Sequence, residues 1–322
     1  MRKPNLIAAG LIALMTLMGT AQAEKYPERP ISLVIPYAPG GITDVSMRMI
    51  AQKLQDQLGQ TIVVENRAGA ATTVASNYVS RQKPDGYTLY AASVSLPLNK
   101  FLQPNVQYDA FKDFTVLSGL ADSPFVLEID SKLGIKTMDE LVKKIRENPG
   151  KYNVGASGVG AMNHITAESW LQRGNLDALV VQYQGGAQVR MAILSGDIHM
   201  TFATINEALP LKNDGKVEFI AVTTPERLSA YPDVPTVQES MGLDNFEAVF
   251  WTALLAPKGM DEARASKIRA AMQEIGKDEE LRAKLEAQGV TLNITDAQTT
   301  IERMKAAEKS FGPIIKAFQK TQ

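Results

Sequence analysis

Ile31-Ser32-Leu33-Val34-Ile35-Pro36-Tyr37-Ala38-Pro39-Gly40-Gly41-Ile42-Thr43-Asp44 is the stretch on which the fold turns. Its first five residues, apolar but for one serine and mostly β-branched, predict a buried strand. Two prolines and two glycines then break any regular pattern. Beyond them Met47, Ile50, Ala51, Leu54 and Leu58 recur at helical spacing, with Thr43 or Asp44 as the expected N-cap and Gly59 as the stop. Strand, glycine loop and helix in this order form the repeating unit of an α/β sheet.

The unit repeats on both sides. Residues 61–65 read as a second strand, followed by a glycine-containing turn over 66–71, a short helix near 74–80, the turn Pro84-Asp85-Gly86 and a third strand over 87–92. This alternation calls for parallel strands with right-handed crossovers. A second series starts after a strand at 125–129. Thr137 and Glu140 stand as a capping box before a helix that Asn148-Pro149-Gly150 ends. Strands are then expected at 152–156, 179–182, 200–203 and 217–222, with helices between them. A long apolar strand over 246–256 precedes three amphipathic helices near 261–276, 278–287 and 295–319.

Helices without strands of their own at the end of the chain imply that it returns to the first unit. The expectation is an α/β protein of two lobes with a ligand cleft between them, lobe 1 comprising 24–123 plus 250–322 and lobe 2 comprising 124–249. Two crossing strands, near 123–129 and 246–252, would join the lobes and act as a hinge. About 300 residues remain after the leader, more than one core usually holds.

The leader itself is legible. Arg2 and Lys3 precede an apolar run from Leu6 to Met18 that exits through Ala21-Gln22-Ala23, so 1–23 is expected to be a signal peptide. The apolar run is shorter than a membrane span requires. Its removal near Ala23 leaves 32 basic against 35 acidic residues, a formal net charge of −3. That balance gives no reason to expect nucleic acid or an anionic membrane surface as partner. The chain has no cysteine, which excludes disulfides, thiolate chemistry and a lipidated cysteine anchor. A free periplasmic monomer is the expectation.

In parallel α/β sheets ligands sit beyond the carboxyl ends of the strands. Three loops stand there, at 36–44, 156–164 and 184–187, the last reading Gln184-Gly185-Gly186-Ala187. Their small residues let backbone N–H groups approach a ligand, and the first amides of each following helix attract an anion. None contains Lys or Arg, so a carboxylate would be held by amides, hydroxyls, helix dipoles and water. Arg190, just inside the next helix, is the cation that would overturn this if it turned inward.

Enzyme chemistry finds little footing. The only histidines are His164, at a helix start where it could donate to a ligand oxygen, and His199, which opens an apolar strand and reads as structural. No zinc or copper ligand set can be assembled from them, and no cofactor is expected. Gly155-Ala156-Ser157-Gly158-Val159 has valine where a nucleophile elbow needs glycine. Gly158-Val159-Gly160 lacks the third glycine of a dinucleotide fingerprint.

Tyr26-Pro27-Glu28-Arg29-Pro30, Pro39-Gly40-Gly41-Ile42-Thr43-Asp44, Val63-Val64-Glu65-Asn66-Arg67-Ala68-Gly69-Ala70 and Pro84-Asp85-Gly86-Tyr87-Thr88-Leu89 occur in order. With Asn148-Pro149-Gly150-Lys151, Pro232-Asp233-Val234-Pro235-Thr236 and Leu254-Leu255-Ala256-Pro257 further on, the mature chain resembles the Bug-type solute-binding proteins of tripartite tricarboxylate transporters. The resemblance implies a type II periplasmic-binding-protein fold and delivery of a small organic acid to a two-subunit membrane transporter. It also implies that the loops 39–44 and 157–164 close on a ligand carboxylate, through Gly40, Gly41, Thr43, Asp44, Ser157, Gly160 and His164, with Ser93 beside them. Gln184 and Gly185 complete the candidate set. Met162, Gln184, Gly186 and Ile205 depart from the family pattern in polarity and shape, where specificity is expected to reside. A sensor component presenting the ligand to a membrane kinase is the alternative reading, and an exported enzyme the third.

Overall fold

The structure, a computed structural model, describes residues 26–319. The segment read as a signal peptide, 1–23, lies outside them. The opening stretch folds as its pattern dictates: β1 (Ile31–Ile35) is buried except at Ser32, and α1 (Ile42–Leu58) turns Met47, Ile50, Ala51, Leu54 and Leu58 onto the sheet. Gly59 ends α1 in the left-handed conformation at φ 66°, where its missing Cβ removes the penalty. The helix begins one residue before the nearer of the two expected caps, with Gly41 at the N-cap position. Next come β2 (Ile62–Asn66), α2 (Thr73–Val79), β3 (Thr88–Ser93) and α3 (Ser95–Leu102). β1 pairs in parallel with β2 on one side and β3 on the other. Helix α3 was not legible because Pro97 stands in it, yet proline is tolerated in a first turn whose N–H groups have no intrahelical partner.

β4 (Phe114–Asp130) is the backbone of the molecule and starts well before the expected 125. Ser118 and Gly119 interrupt its apolar alternation, and register shifts at Val116/Ser118 and Gly119/Ala121 absorb the interruption. Up to Pro124 the strand pairs antiparallel with β9 (Val249–Pro257), which also pairs with β3. From Phe125 onward β4 pairs instead with β7 (Met200–Thr204) and β8 (Val217–Val222). The main path runs β2-β1-β3-β9-β4-β7-β5-β6, where β5 is Asn153–Ala156 and β6 is Leu179–Gln182. The chain thus comes back beside β3 through β9.

Helices α4 (Met138–Glu147), α5 (Met162–Gly174), α6 (Gly186–Ser195), α7 (Ile205–Asn213) and α8 (Val237–Met241) belong to the second half. Helices α9 (Glu262–Ile275), α10 (Glu279–Glu286) and α11 (Ala297–Gln319) follow β9, with the short β10 (Thr291–Leu292) pairing to β4. Burial drives each placement. In α4, for instance, Met138, Leu141 and Ile145 fall on one face and are buried, each contributing about 1.5–3 kcal/mol of transfer free energy.

Where the chain crosses between the halves, the buried Thr223 joins both crossings. Its N–H donates to Phe125 O at 3.0 Å and its carbonyl accepts Ala248 N–H at 3.0 Å. Its hydroxyl lies 2.6 Å from Ala248 O and 3.2 Å from the Phe125 N–H it accepts.

Candidate functional site

A cavity of about 630 Å³ opens between the two halves at the carboxyl ends of their parallel strands. The first half lines it with Pro36, Tyr37, Ala38, Ile42 and Thr43, with the segment 68–72, and with Ser95. The second half contributes 157–163, Thr204 and Glu207, and the crossing strands supply Ser123, Phe125 and Phe250. Four helix N-termini of at least eight residues therefore meet at this space: those of α1, α3, α5 and α7. None of their N-cap residues, Gly41, Val94, Ala161 and Thr204, makes a side-chain capping bond. Their first-turn amides give the cavity a positive potential without a cation. No Lys or Arg is among the described residues that line it.

Of the residues singled out from sequence, Thr43, Ser157 and Gly160 line the cavity. Ser157 Oγ donates to Asn163 Oδ1 at 3.0 Å, which ties the end of β5 to the first turn of α5. Gly160 sits at φ 79°, and a Cβ there would lie 2.6 Å from Leu102 Cδ2 of α3. Only glycine lets this loop approach the opposite half so closely.

The others are not among the lining residues: Asp44, Ser93 and His164 are buried behind the wall, whereas Gly40, Gly41 and Gln184 are exposed on their loops. Buried Asp44 accepts from Gly40 N–H and Arg48 Nε, each at 2.9 Å, and from Asn66 Nδ2 at 2.8 Å. Burial works against its charge, but these hydrogen bonds outweigh it and hold the carboxyl down to about 2. Asp44 thus fixes the loop, and the amide of Gly40 is engaged by it, while Gly41 begins α1. Ser93 Oγ lies 2.8 Å from the hydroxyl of Tyr37, itself a lining residue whose pKa burial raises. His164 is buried: its Nδ1 accepts Gly160 N–H at 3.0 Å and its ring packs 4.4 Å from that of Phe318 in α11. The imidazole therefore shapes the 157–164 loop from within. Gln184 and Gly185 do not line the cavity; the Gln184 N–H donates to Gln188 Oε1 at 2.9 Å.

Sequence reasoning missed one wall altogether. Ala70, Ala71 and Thr72 are consecutive non-glycine residues at φ 44°, 47° and 77°. Left-handed backbone costs such residues about 1 kcal/mol or more each, and strain of this kind collects at ligand clamps. Asn99 restrains the segment by donating to Ala71 O at 2.8 Å and Thr72 Oγ1 at 3.0 Å. No local pattern announces it. Glu207 and the aromatic floor of Phe125 and Phe250 were missed as well, because their elements read as ordinary core.

Two α/β halves joined by crossing strands, with helix starts facing a shared cleft, define the class of two-lobe periplasmic binding proteins. The family model for tripartite tricarboxylate transporter family receptors matches residues 46–319, and the chain belongs to that family. BugT of Bordetella pertussis is 32% identical over 78% of this chain and 77% of its own. Similar solved structures include an R. palustris protein with adipate (TM-score 0.77, 25% identity, covering 91% of this chain and 98% of that one). MatC from Rhodopseudomonas palustris with bound malate gives a TM-score of 0.72 at 26% identity, covering 90% of this chain and 100% of that one. The family is a receptor class rather than a group of enzymes.

Proposed function

We propose that the protein is a periplasmic receptor that captures one small organic acid in the cleft and hands it to a two-subunit membrane transporter. The observation that carries this reading is the convergence of uncapped helix N-termini on a cavity without Lys or Arg. A carboxylate is the group that such amides stabilise, and it needs no salt bridge there. The adipate and malate held by the two similar proteins support the same chemistry. In this reading Thr43, Ser157 and Gly160 meet the ligand, while Gly40, Gly41, Asp44, Ser93 and His164 hold the loops in shape. Gln184 and Gly185 border the site beside α6.

The lobes of this reading are 24–123 plus 250–322 and 124–249, and closure bends the crossings at Thr223. A ligand touching both lobes gains contacts only in the closed form, which drives the closure. The test is a thermal-shift screen of mono-, di- and tricarboxylates, amino acids and aromatic acids, followed by calorimetry. An acid at 100 times its Kd adds about 2.7 kcal/mol of stability. If no acid in the screen raises the melting temperature, the carboxylate reading fails.

A further inference from the structure

Among the described residues, Glu207 is the one acidic side chain lining the cleft, and no Lys or Arg lines it. Its Oε2 accepts from Thr204 Oγ1 at 2.9 Å. Its Oε1 lies 3.2 Å from where a Cβ on Gly186 would stand, so the carboxylate rests against the start of α6. The third glycine loop, open to an anion on sequence grounds, thus already faces a carboxylate of the protein itself.

A second acid lies beneath. Glu128 is 3% exposed, and its Oε2 has no hydrogen-bond partner among the described residues. It lines a small recess together with Glu207, Gly186, Asn163 and Arg190. Arg190 is exposed and forms no ion pair with either acid among the described residues. The 36–43 and 157–163 walls favour negative charge, whereas the Glu207 side opposes it.

We propose that the cleft selects a solute with one carboxylate and, at its far end, an ammonium or similar N–H donor that seats against Glu207, and that it disfavours dicarboxylates. This rests on the carboxylate-receptor reading and narrows its ligand class. A second ligand carboxylate near Glu207 would meet like charge in a partly desolvated cleft, whereas an ammonium there gains a charge-assisted hydrogen bond.

Calorimetry with two length-matched sets tests it: succinate, 4-aminobutanoate and butanoate, then adipate, 6-aminohexanoate and hexanoate. For the wild-type chain the amino acid of the better-fitting set binds about tenfold tighter than the monoacid, and the diacid binds weakest. Glu207→Gln erases the amino acid's advantage, and Glu207→Lys reverses the order in favour of the diacid, with melting curves reporting that each variant is folded. A wild-type preference for the diacid, or an order unchanged in both variants, overturns the proposal and leaves the receptor reading standing. Absence of binding by both sets and by every other acid screened overturns both.

Discussion

Two groups of helices in this chain begin in opposite ways. Away from the cleft, α4, α8, α9 and α10 start at Thr137, Thr236, Asp261 and Asp278, whose side chains accept first-turn N–H groups. Asp296 does the same for α11, accepting Thr299 N–H at 2.8 Å. At the cleft, α1, α5 and α7 begin without a side-chain cap, and so does α6 beside it, at Gly185, while α3 has only a long bond from the Ser95 N–H to Ser93 Oγ at 3.3 Å. Thr204 has a hydroxyl suited to capping, yet donates it to Glu207. A cap is worth about 0.5–2 kcal/mol, so the cleft side forgoes stability that the outer side takes. The difference follows if the cleft amides are kept for a ligand, and it marks the site without reference to any ligand.

Supplying the missing cap is the strongest way to break this contrast. Ala161 has the extended backbone of an N-cap, at φ −63° and ψ 152°. Ala161→Asp should raise the melting temperature slightly while placing a charge about 4 Å from the bound carboxylate, at a cost of about 4 kcal/mol in affinity. Calorimetry that finds binding intact would mean that the α5 amides do not hold the ligand.

A somewhat smaller effect concerns the acid under the cleft. Burial first, and then the neighbouring Glu207 charge, push Glu128 from 4.5 up to about 7, with Arg190 opposing. Between those values the folded chain keeps a proton that the unfolded chain releases. Stability therefore falls as pH rises from 4.5 to 7, by on the order of 3 kcal/mol. Urea titrations across that range should show the loss, and Glu128→Gln should flatten it. An equally steep fall in the variant would assign the pH dependence elsewhere.

The smallest expected change sharpens the contrast from the outer side. Thr236 and Glu239 form a full capping box on α8. Thr236→Ala should lower stability by about 1–2 kcal/mol and leave ligand affinity unchanged. A loss of affinity comparable to that of the cleft variant would erase the distinction between the two groups of helix starts.

Much of this was open to reading in one dimension. The β1 pattern, the spacing from Met47 to Leu58 and the strandless C-terminal helices specify α/β units and a chain that returns, because side-chain periodicity is a local property of the backbone. The absence of Lys and Arg from the glycine loops was equally plain from composition. The tertiary structure alone decided that Asp44 and His164 support the walls rather than form them. It alone put the strained 70–72 segment opposite 157–163 and brought Glu128, Gly186 and Glu207 together. These neighbours come from separate strand ends and helix starts, and no period links their positions along the chain; only sheet order and register set how near they lie.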